Sequence, residues 1–597
     1  MHICFVSAHR GSAFMHELLE VVADAVARAG GEVSIHTGKY PDMPSPCAYV
    51  VIPHEYFVVT APADQPSVPQ RARTLGLCVE HPGNNTFEIS FNHARSLGAV
   101  MDINADSRAE LLRRGVAAER FVLGYSPRWD AWGGDETSGR PIDVTYLGTT
   151  DDRRAQVLAM QAKELSTWQT RLLIPPHEPM YRPRQDFLMG SAKMEHLAAS
   201  KVLINLHRGG SRSLEWVRVL EAMCNGCVVV SERSEDFAPL VPGEDVVFAE
   251  STRIVACASA MLRDPLRLGS MRQAALATCR TIDMRASAEL LMEMASGLSR
   301  GFGRAVSKRS AGSRQALSHP TVPEPLQPAS DLPSLAPWAA DLPEPFRRIQ
   351  ARLIAAAARA QQKDVSISCV LPAPAATARM VALIADVVGD ARQTSRTVAA
   401  LETQDVAIGA WVGRAGGRDD AAPVGPPGLG IALNTLLRAT LAEVVLVIEP
   451  GQVLFESSVR RLLGALDVSP DAVAAYGFMA NPSAGELWNA LPWEPDRLTR
   501  RAFLSAPFVI RRSSLVELGG LTEDPALTGY EYHDLWCRIA DREWTAAFVQ
   551  QILGRGERSR PAENGISAIA PEVTEDVLRR SSPRLFADMH PIRISPR

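Results

Sequence analysis

The stretch Arg218–Glu232, RVLEAMCNGCVVVSE, concentrates the residues of this chain best suited to chemistry. Cys224 and Cys227 form a Cys-x-x-Cys, the pattern of a zinc knuckle or of a dithiol redox pair. Glu221 closes a helical pattern that breaks at Gly226 and runs into CVVVS. A tetrahedral metal site needs a second ligand pair at suitable spacing, and there is no second Cys-x-x-Cys. A reactive dithiol wants its first cysteine at a helix N-terminus, where the dipole lowers the thiol pKa. Cys224 instead falls in the last turn, and Cys227 begins a buried strand. The pair reads as small cysteines packing a helix–strand corner, and Glu221 is left as the residue that could hold a ligand. Arg218 stands one turn earlier on the same face (i, i+3).

The elements that must position Glu221 belong to a long chain. Its 597 residues exceed one hydrophobic core and imply two to four domains. At 46% hydrophobic and 22% charged residues it has the composition of a soluble globular protein. A net charge of -4 gives no reason to expect nucleic acid or an anionic membrane as partner. The start, MHICFVSAHRG, lacks a secretory signal pattern, and no apolar run reaches the ~18 residues of a spanning helix. Nine scattered cysteines do not form a disulfide framework, so the chain reads as cytoplasmic, with reduced thiols.

Alternating signals point to an α/β fold. ICFVSA, EVSIHTG and AYVVIPHEYFVV read as strands, and FMHELLEVVADAVARAGG as an amphipathic helix stopped by Gly30-Gly31. After DETSGRP the alternation restarts with IDVTYLGTT and runs to VVFAE. Two such runs predict two Rossmann-like domains, 1–135 and 136–300, with a ligand cleft at the carboxyl ends of their strands. A proline-rich linker, 301–345, leads to a single α/β domain over 346–560 and a tail, 561–597.

HLAASKVLINLHRGGSRSLEWVRVLEAMCNGCVVVSE resembles the donor-binding half of GT-B glycosyltransferases, the CgeB-like branch above all. DVTYLGTTDDRRAQVL is similar to the opening strand and glycine–arginine turn of that half, and GLCVEHPGNNTFE to the end of the first, acceptor-side half. The likeness spans roughly residues 1–300. It implies transfer of a sugar from a nucleoside diphosphate-sugar donor, without a metal or other cofactor, to a glycan, protein or small-molecule acceptor. It assigns ribose binding to Glu221 and places Gly148, Arg153, Lys201, Arg208 and Arg218 around the donor. A carboxylate can accept both vicinal ribose hydroxyls, and glycine turns, helix N-termini and Lys or Arg can hold a diphosphate. A solvated surface charge is the rival reading for Arg153, Lys201 or Arg208 taken singly.

Retaining members of the family often carry another Glu eight residues before Glu221. That position is Ser213, with Glu215 two places on, so retention and inversion both stay open, with Glu215 and Glu221 as catalytic carboxylates. An inverting enzyme needs a base from the first half. His9, after the first strand, is the first choice by topology, with Glu80-His81 and His54-Glu55 as rivals.

The C-terminal block resembles family 2 GT-A glycosyltransferases over roughly 365–555, on VSISCVLP, VVLVIEPGQVL, RRSSLVELGGL and GYEYHDLWCRIA. Such enzymes hold a divalent cation with an Asp-x-Asp at a strand end. That place reads Glu449-Pro450-Gly451-Gln452 here, and the usual Glu-Asp pair reads Glu531-Tyr532, with Asp534 nearby. The losses suggest a degenerate GT-A-like binding module. A metal-independent enzyme using Glu449, Glu531 and Asp534 is the alternative, and a protein that binds glycans without catalysis is the competing class for the whole chain.

Overall fold

In the computed structural model the chain divides into two compact units, Met1–Gly312 and Ser313–Arg597. The structure describes residues 1–309 apart from 44, 45, 138, 210 and 211, and then 365–371, 379–415, 428–557 and 571–587. The proline-rich segment 318–345 and the opening stretch of the expected third domain, 346–364, lie outside the described residues. Among the described residues no helix is long and apolar enough to cross a membrane.

The first unit holds two parallel, Rossmann-like sheets. The first runs in the order β2-β1-β3-β4-β5-β6, from β1 (His2–Ser7), β2 (Glu32–Thr37), β3 (Cys47–Val51), β4 (Thr74–Cys78), β5 (Ala99–Asp102) and β6 (Glu119–Arg120). The second runs β11-β10-β9-β7-β8, from β7 (Ile142–Leu147), β8 (Thr170–Leu173), β9 (Ser200–Asn205), β10 (Val228–Glu232) and β11 (Val246–Ala249). Strands β3, β4 and β10 are buried throughout, as near-continuous apolar runs covered on both faces should be. The helix Ala13–Arg28 turns Leu18, Leu19, Val22 and Val26 inward, the spacing of one helical face.

Three sequence expectations change. PHEYFVV is a helix, Pro53–Val59, and not the continuation of β3. Proline at the first helical position sets φ and removes an N–H that would have no partner there, which starts a helix and forbids a central strand. The long helix Arg285–Arg309 lies in the range read as the second half and linker, yet it returns to the first sheet. Ser299 Oγ donates to Cys47 O at 3.1 Å, and Ser287 Oγ accepts from Val122 N at 2.9 Å. Residues 571–587 belong to no loose tail: the helix Pro571–Ser581 packs on the helix Glu531–Asp541, with Leu578 and Phe586 buried in the core.

The second unit is built on one mixed sheet in the order β12-β14-β13-β15-β19-β17-β20-β16, with β18 paired to β17. Its strands are β12 (Val365–Leu371), β13 (Met380–Asp386), β14 (Ile408–Ala415), β15 (Val444–Ile448), β16 (Val453–Leu454), β17 (Ala472–Asn481), β18 (Glu486–Trp488), β19 (Phe508–Arg511) and β20 (Thr545–Arg555). The central β14-β13-β15 set is parallel, and β19 joins it antiparallel.

Candidate active site

A cavity of about 410 Å³ lies between the two sheets of the first unit. It is lined from the first half by residues at or just after the carboxyl ends of β3 and β4, among them His54, Glu55, Glu80 and His81. From the second half come Gly148 after β7, Arg208 after β9, and Glu215, Arg218 and Glu221 on the helix Trp216–Cys224 and its N-cap. This is the placement that parallel strands dictate for ligands.

The helix that carries Glu221 is positioned by the corner that follows it. Gly226 has φ +64°, and a Cβ there would come 2.5 Å from the Trp132 ring and 2.6 Å from Arg140. Only glycine fits both demands. Cys224, at the helix end, lies with Sγ 3.5 Å from Cys279 Sγ, and both are fully buried free thiols. Burial pushes the Cys227 thiol up to about 12, which leaves no reactive thiolate.

Glu221 is 4% exposed. Its Oε1 accepts from Lys193 Nζ at 2.6 Å, and the same ammonium donates to Glu17 Oε2 at 2.8 Å. Burial raises the Glu221 carboxyl above its ordinary value, with Lys193 opposing. Burial works against the Lys193 charge, but Glu221 and Glu17 outweigh it and hold the ammonium above its usual range. Glu17 comes from the first half and also accepts from Gly190 N at 2.6 Å, so this chain of charges ties the two halves together.

Arg218 Nη1 donates to Asn205 Oδ1 at 2.9 Å. Its other nitrogen, Nη2, lies beside Gly148, where a Cβ would stand 2.9 Å away and φ is +149°. The glycine thus lets the guanidinium reach the end of β7. Glu215 accepts from Arg154 Nη2 at 3.0 Å and lies 3.9 Å from Arg218. Burial works to raise the Glu215 carboxyl, yet Arg218, Arg154, His81 and His207 overcome it and hold it at about 2. Arg208 contacts His177 and reaches Glu80 at 3.9 Å across the cavity.

Other sequence-predicted residues are not brought here. Arg153 forms a two-pronged pair with Glu232 and does not line the cavity. Its neighbour Arg154 does, donating also to Leu206 O at 2.9 Å and Thr149 O at 3.0 Å. Successive residues on a helix point about 100° apart, so of the two arginines one faces the strand ends. Lys201 sits at the start of β9 on Asp143 Oδ1, 2.7 Å away, at the strand end opposite to the cleft. His9 is exposed and lines no described cavity. Its rivals are in place. His54 Nε2 stands 3.3 Å from Glu80 Oε1, and His81 Nδ1 3.3 Å from Asp106 Oδ2. Burial works to lower His81, but Asp106 and Glu215 raise it above its usual value. Lys193, Glu17 and Arg154 are the residues that the sequence reading missed.

In the second unit, Glu449 follows β15. Its Oε2 accepts from Gln452 Nε2 at 3.2 Å, and Gln452 is buried. Asp534 pairs with Arg538 at 2.7 Å one helical turn away. Burial, with Glu449 and Asp534 adding, pushes Glu531 up to about 7. Among the described residues no cluster of His, Cys, Asp or Glu has the arrangement of a metal site.

Residues 145–290 match the family model described as glycosyl transferase-like. No curated protein sequence matches the chain. Among solved structures, it is similar to a sucrose-phosphate synthase from Thermosynechococcus elongatus, at 14% identity over 51% of this chain and 100% of that one, with a TM-score of 0.34. It is also similar to AviGT4, a glycosyltransferase of avilamycin A biosynthesis, at 15% identity over 50% of this chain and 98% of that one, TM-score 0.33. A third is HepE from Anabaena in complex with UDP-glucose, at 14% identity over 52% of this chain and 100% of that one, TM-score 0.32.

Proposed function

We propose that the first unit is a GT-B glycosyltransferase that moves a sugar from a nucleoside diphosphate-sugar to an acceptor held on its first half. The observation that carries the reading is the position of Glu221 and Arg218 on one helix face against a cavity that Arg154 and Arg208 also line, within a region that matches the glycosyl transferase-like family. Lys193 occupies Glu221 Oε1 and leaves Oε2 for the ribose hydroxyls. Arg208 and Arg218 offer cationic N–H groups to the diphosphate, whose charge grows as the sugar–phosphate bond breaks. Glu215 stays ionised and positions Arg154 and Arg218, with no proton to give.

His81 takes the place of His9 as the base. The acceptor oxygen attacks the anomeric carbon, its proton passes to His81, and the diphosphate leaves with the bonding electrons, so the transfer inverts. Asp106 fixes the His81 ring and stabilises the imidazolium that forms. The test is release of nucleoside diphosphate by the full chain against a panel of sugar nucleotides. His81→Asn should lower turnover by about 100-fold or more while donor affinity holds. Equal turnover in a folded variant would remove His81 from this role.

For the second unit we propose a GT-A-like binding module. The support is that Gln452 already donates to Glu449, and that Asp534 is neutralised by Arg538, so neither carboxylate is poised for a cation.

A further inference from the structure

We propose that Ser213 is a positioning residue for the base: from the second half it holds Asp106 against His81, so the base is set only while the two halves are joined. This rests on the reading of His81 as the base of glycosyl transfer and adds what orients it.

Asp106 lies in the first turn of the helix Ala105–Arg113, which belongs to the first half. Its Oδ1 accepts from Ser107 N at 2.7 Å, and its two oxygens stand 3.4 and 3.3 Å from His81 Nδ1. A strong charge-assisted bond is shorter, about 2.7–2.9 Å, so the histidine alone does not fix the carboxylate. A further anchor comes from across the cleft. Ser213, 4% exposed, hydrogen-bonds to the Asp106 carboxylate. A carboxylate only accepts, so the serine hydroxyl is the donor. Ser213 lies in the second half, shortly before the helix Trp216–Cys224.

A second contact grips the same helix turn independently. Asp236, in the loop after β10, accepts from Ala105 N at 3.3 Å and from Arg120 Nη2 at 2.8 Å. Glu235 N donates to Arg212 O at 2.9 Å and so ties the two second-half loops to each other. The second half thus holds the Ala105–Arg113 helix at its first backbone N–H and at Asp106. Separation of the halves would break both contacts together.

The charged groups facing the His81 ring are Asp106, Glu215 from the second half, and Glu80 beside it. Asp102, near Asp106, is pushed up to about 8 by burial and adds little charge at neutral pH. Burial works to lower His81, and the three carboxylates overcome it. Two of these supports, Glu215 and the Asp106 that Ser213 holds, depend on the second half. The imidazolium that forms on proton uptake is therefore stabilised most when the cleft is closed around the substrates.

The experiment follows the titration of His81 in the full chain by NMR with ¹³C-labelled histidine, its signal assigned by its loss in His81→Asn. In Ser213→Ala the carboxylate should swing from the ring, and the His81 pKa should fall by about 0.5 units or more. Nucleoside diphosphate release from UDP-glucose, GDP-mannose, ADP-glucose and TDP-glucose, with water or glucose as acceptor, gives the kinetic readout. The acidic limb of its pH profile should move down by the same amount, and kcat should fall about tenfold with the donor KM unchanged. Ser213→Thr, which keeps the hydroxyl, should restore the wild-type titration. Ser213→Cys, which keeps the volume but donates weakly, serves if Ser213→Ala does not fold. In an Asp106→Asn background Ser213→Ala should add no further shift. An unchanged or raised His81 pKa, or an equal shift in the Asp106→Asn background, would overturn the proposal. The two claims separate: no release from any donor by the wild type would count against glycosyl transfer, whereas the titration needs no donor and decides this inference alone.

Discussion

Lys193 Nζ stands 2.6 Å from Glu221 Oε1, and neither residue is more than marginally exposed. The ion pair joins the helix Gly190–Ala198 to the helix Trp216–Cys224, and Glu17 extends it to the first half of the unit. A carboxylate that would hold a ligand is thereby kept in place before the ligand arrives.

Removing the ammonium should therefore be costly. Lys193→Ala leaves Glu221 and Glu17 buried without their cation, and loss of one partner of a buried pair costs about 3–5 kcal/mol. Denaturant unfolding of the first unit measures it. A loss below about 1 kcal/mol would show that water or another cation replaces Lys193.

The corner cysteines should behave as packing atoms. Cys227→Ser puts a hydroxyl where the thiol is 1% exposed, at a cost of roughly 1–3 kcal/mol for an unsatisfied polar group. Cys227→Ala should cost less. Stoichiometric zinc in the purified protein, lost with either substitution, would contradict the packing role.

Glu531 should give the second unit a pH dependence. Its carboxyl is raised from 4.5 to about 7 in the folded state. The folded state thus binds the proton more tightly than the unfolded chain. The cost to folding is absent below 4.5, grows as pH rises through the window from 4.5 to about 7, and is complete above it. Glu531→Gln removes that cost, so the variant should gain roughly 1–3 kcal/mol on wild type between about pH 5 and pH 8. A constant difference across that range would refute the assignment.

The second unit should not take up a sugar nucleotide with Mn²⁺. In a Glu221→Ala background, thermal melting of the full chain with Mn²⁺ and each donor should match melting with either alone. Saturation at ~100 times the dissociation constant would add about 2.7 kcal/mol. A shift that needs both, and that is lost on Glu449→Ala, would move a transferase site into this unit.

What could be read from sequence followed the range of the interactions. Glu221 and Arg218 share one helix and one motif, so their common face was legible from spacing. The parallel alternation of the first unit was legible too, because each buried strand is a continuous apolar run. Lys193 and Glu17 were not, since each meets Glu221 or its partner only through tertiary packing of distant helices, and nothing local marks them. Arg153 and Arg154 differ by one residue and about 100° of helix, which composition cannot resolve. Lys201 failed because it lies near the β9 start, and position along a strand decides which sheet edge a side chain serves. The Pro53 helix start was a local signal available all along, overridden by the apolar run EYFVV.

The central claim is that Glu221 holds the ribose of a nucleotide sugar. Calorimetric titration of the full chain with a panel of sugar nucleotides, wild type against Glu221→Ala, tests it most directly. Glu17 still pairs with Lys193 in that variant, so part of the buried charge stays compensated; the variant loses some stability, and its affinity is compared below its own melting transition. The wild type should bind at least one donor, and the variant should bind it about tenfold or more weakly. Unaltered affinity in the folded variant, or no binding of any donor by the wild type, would contradict the account.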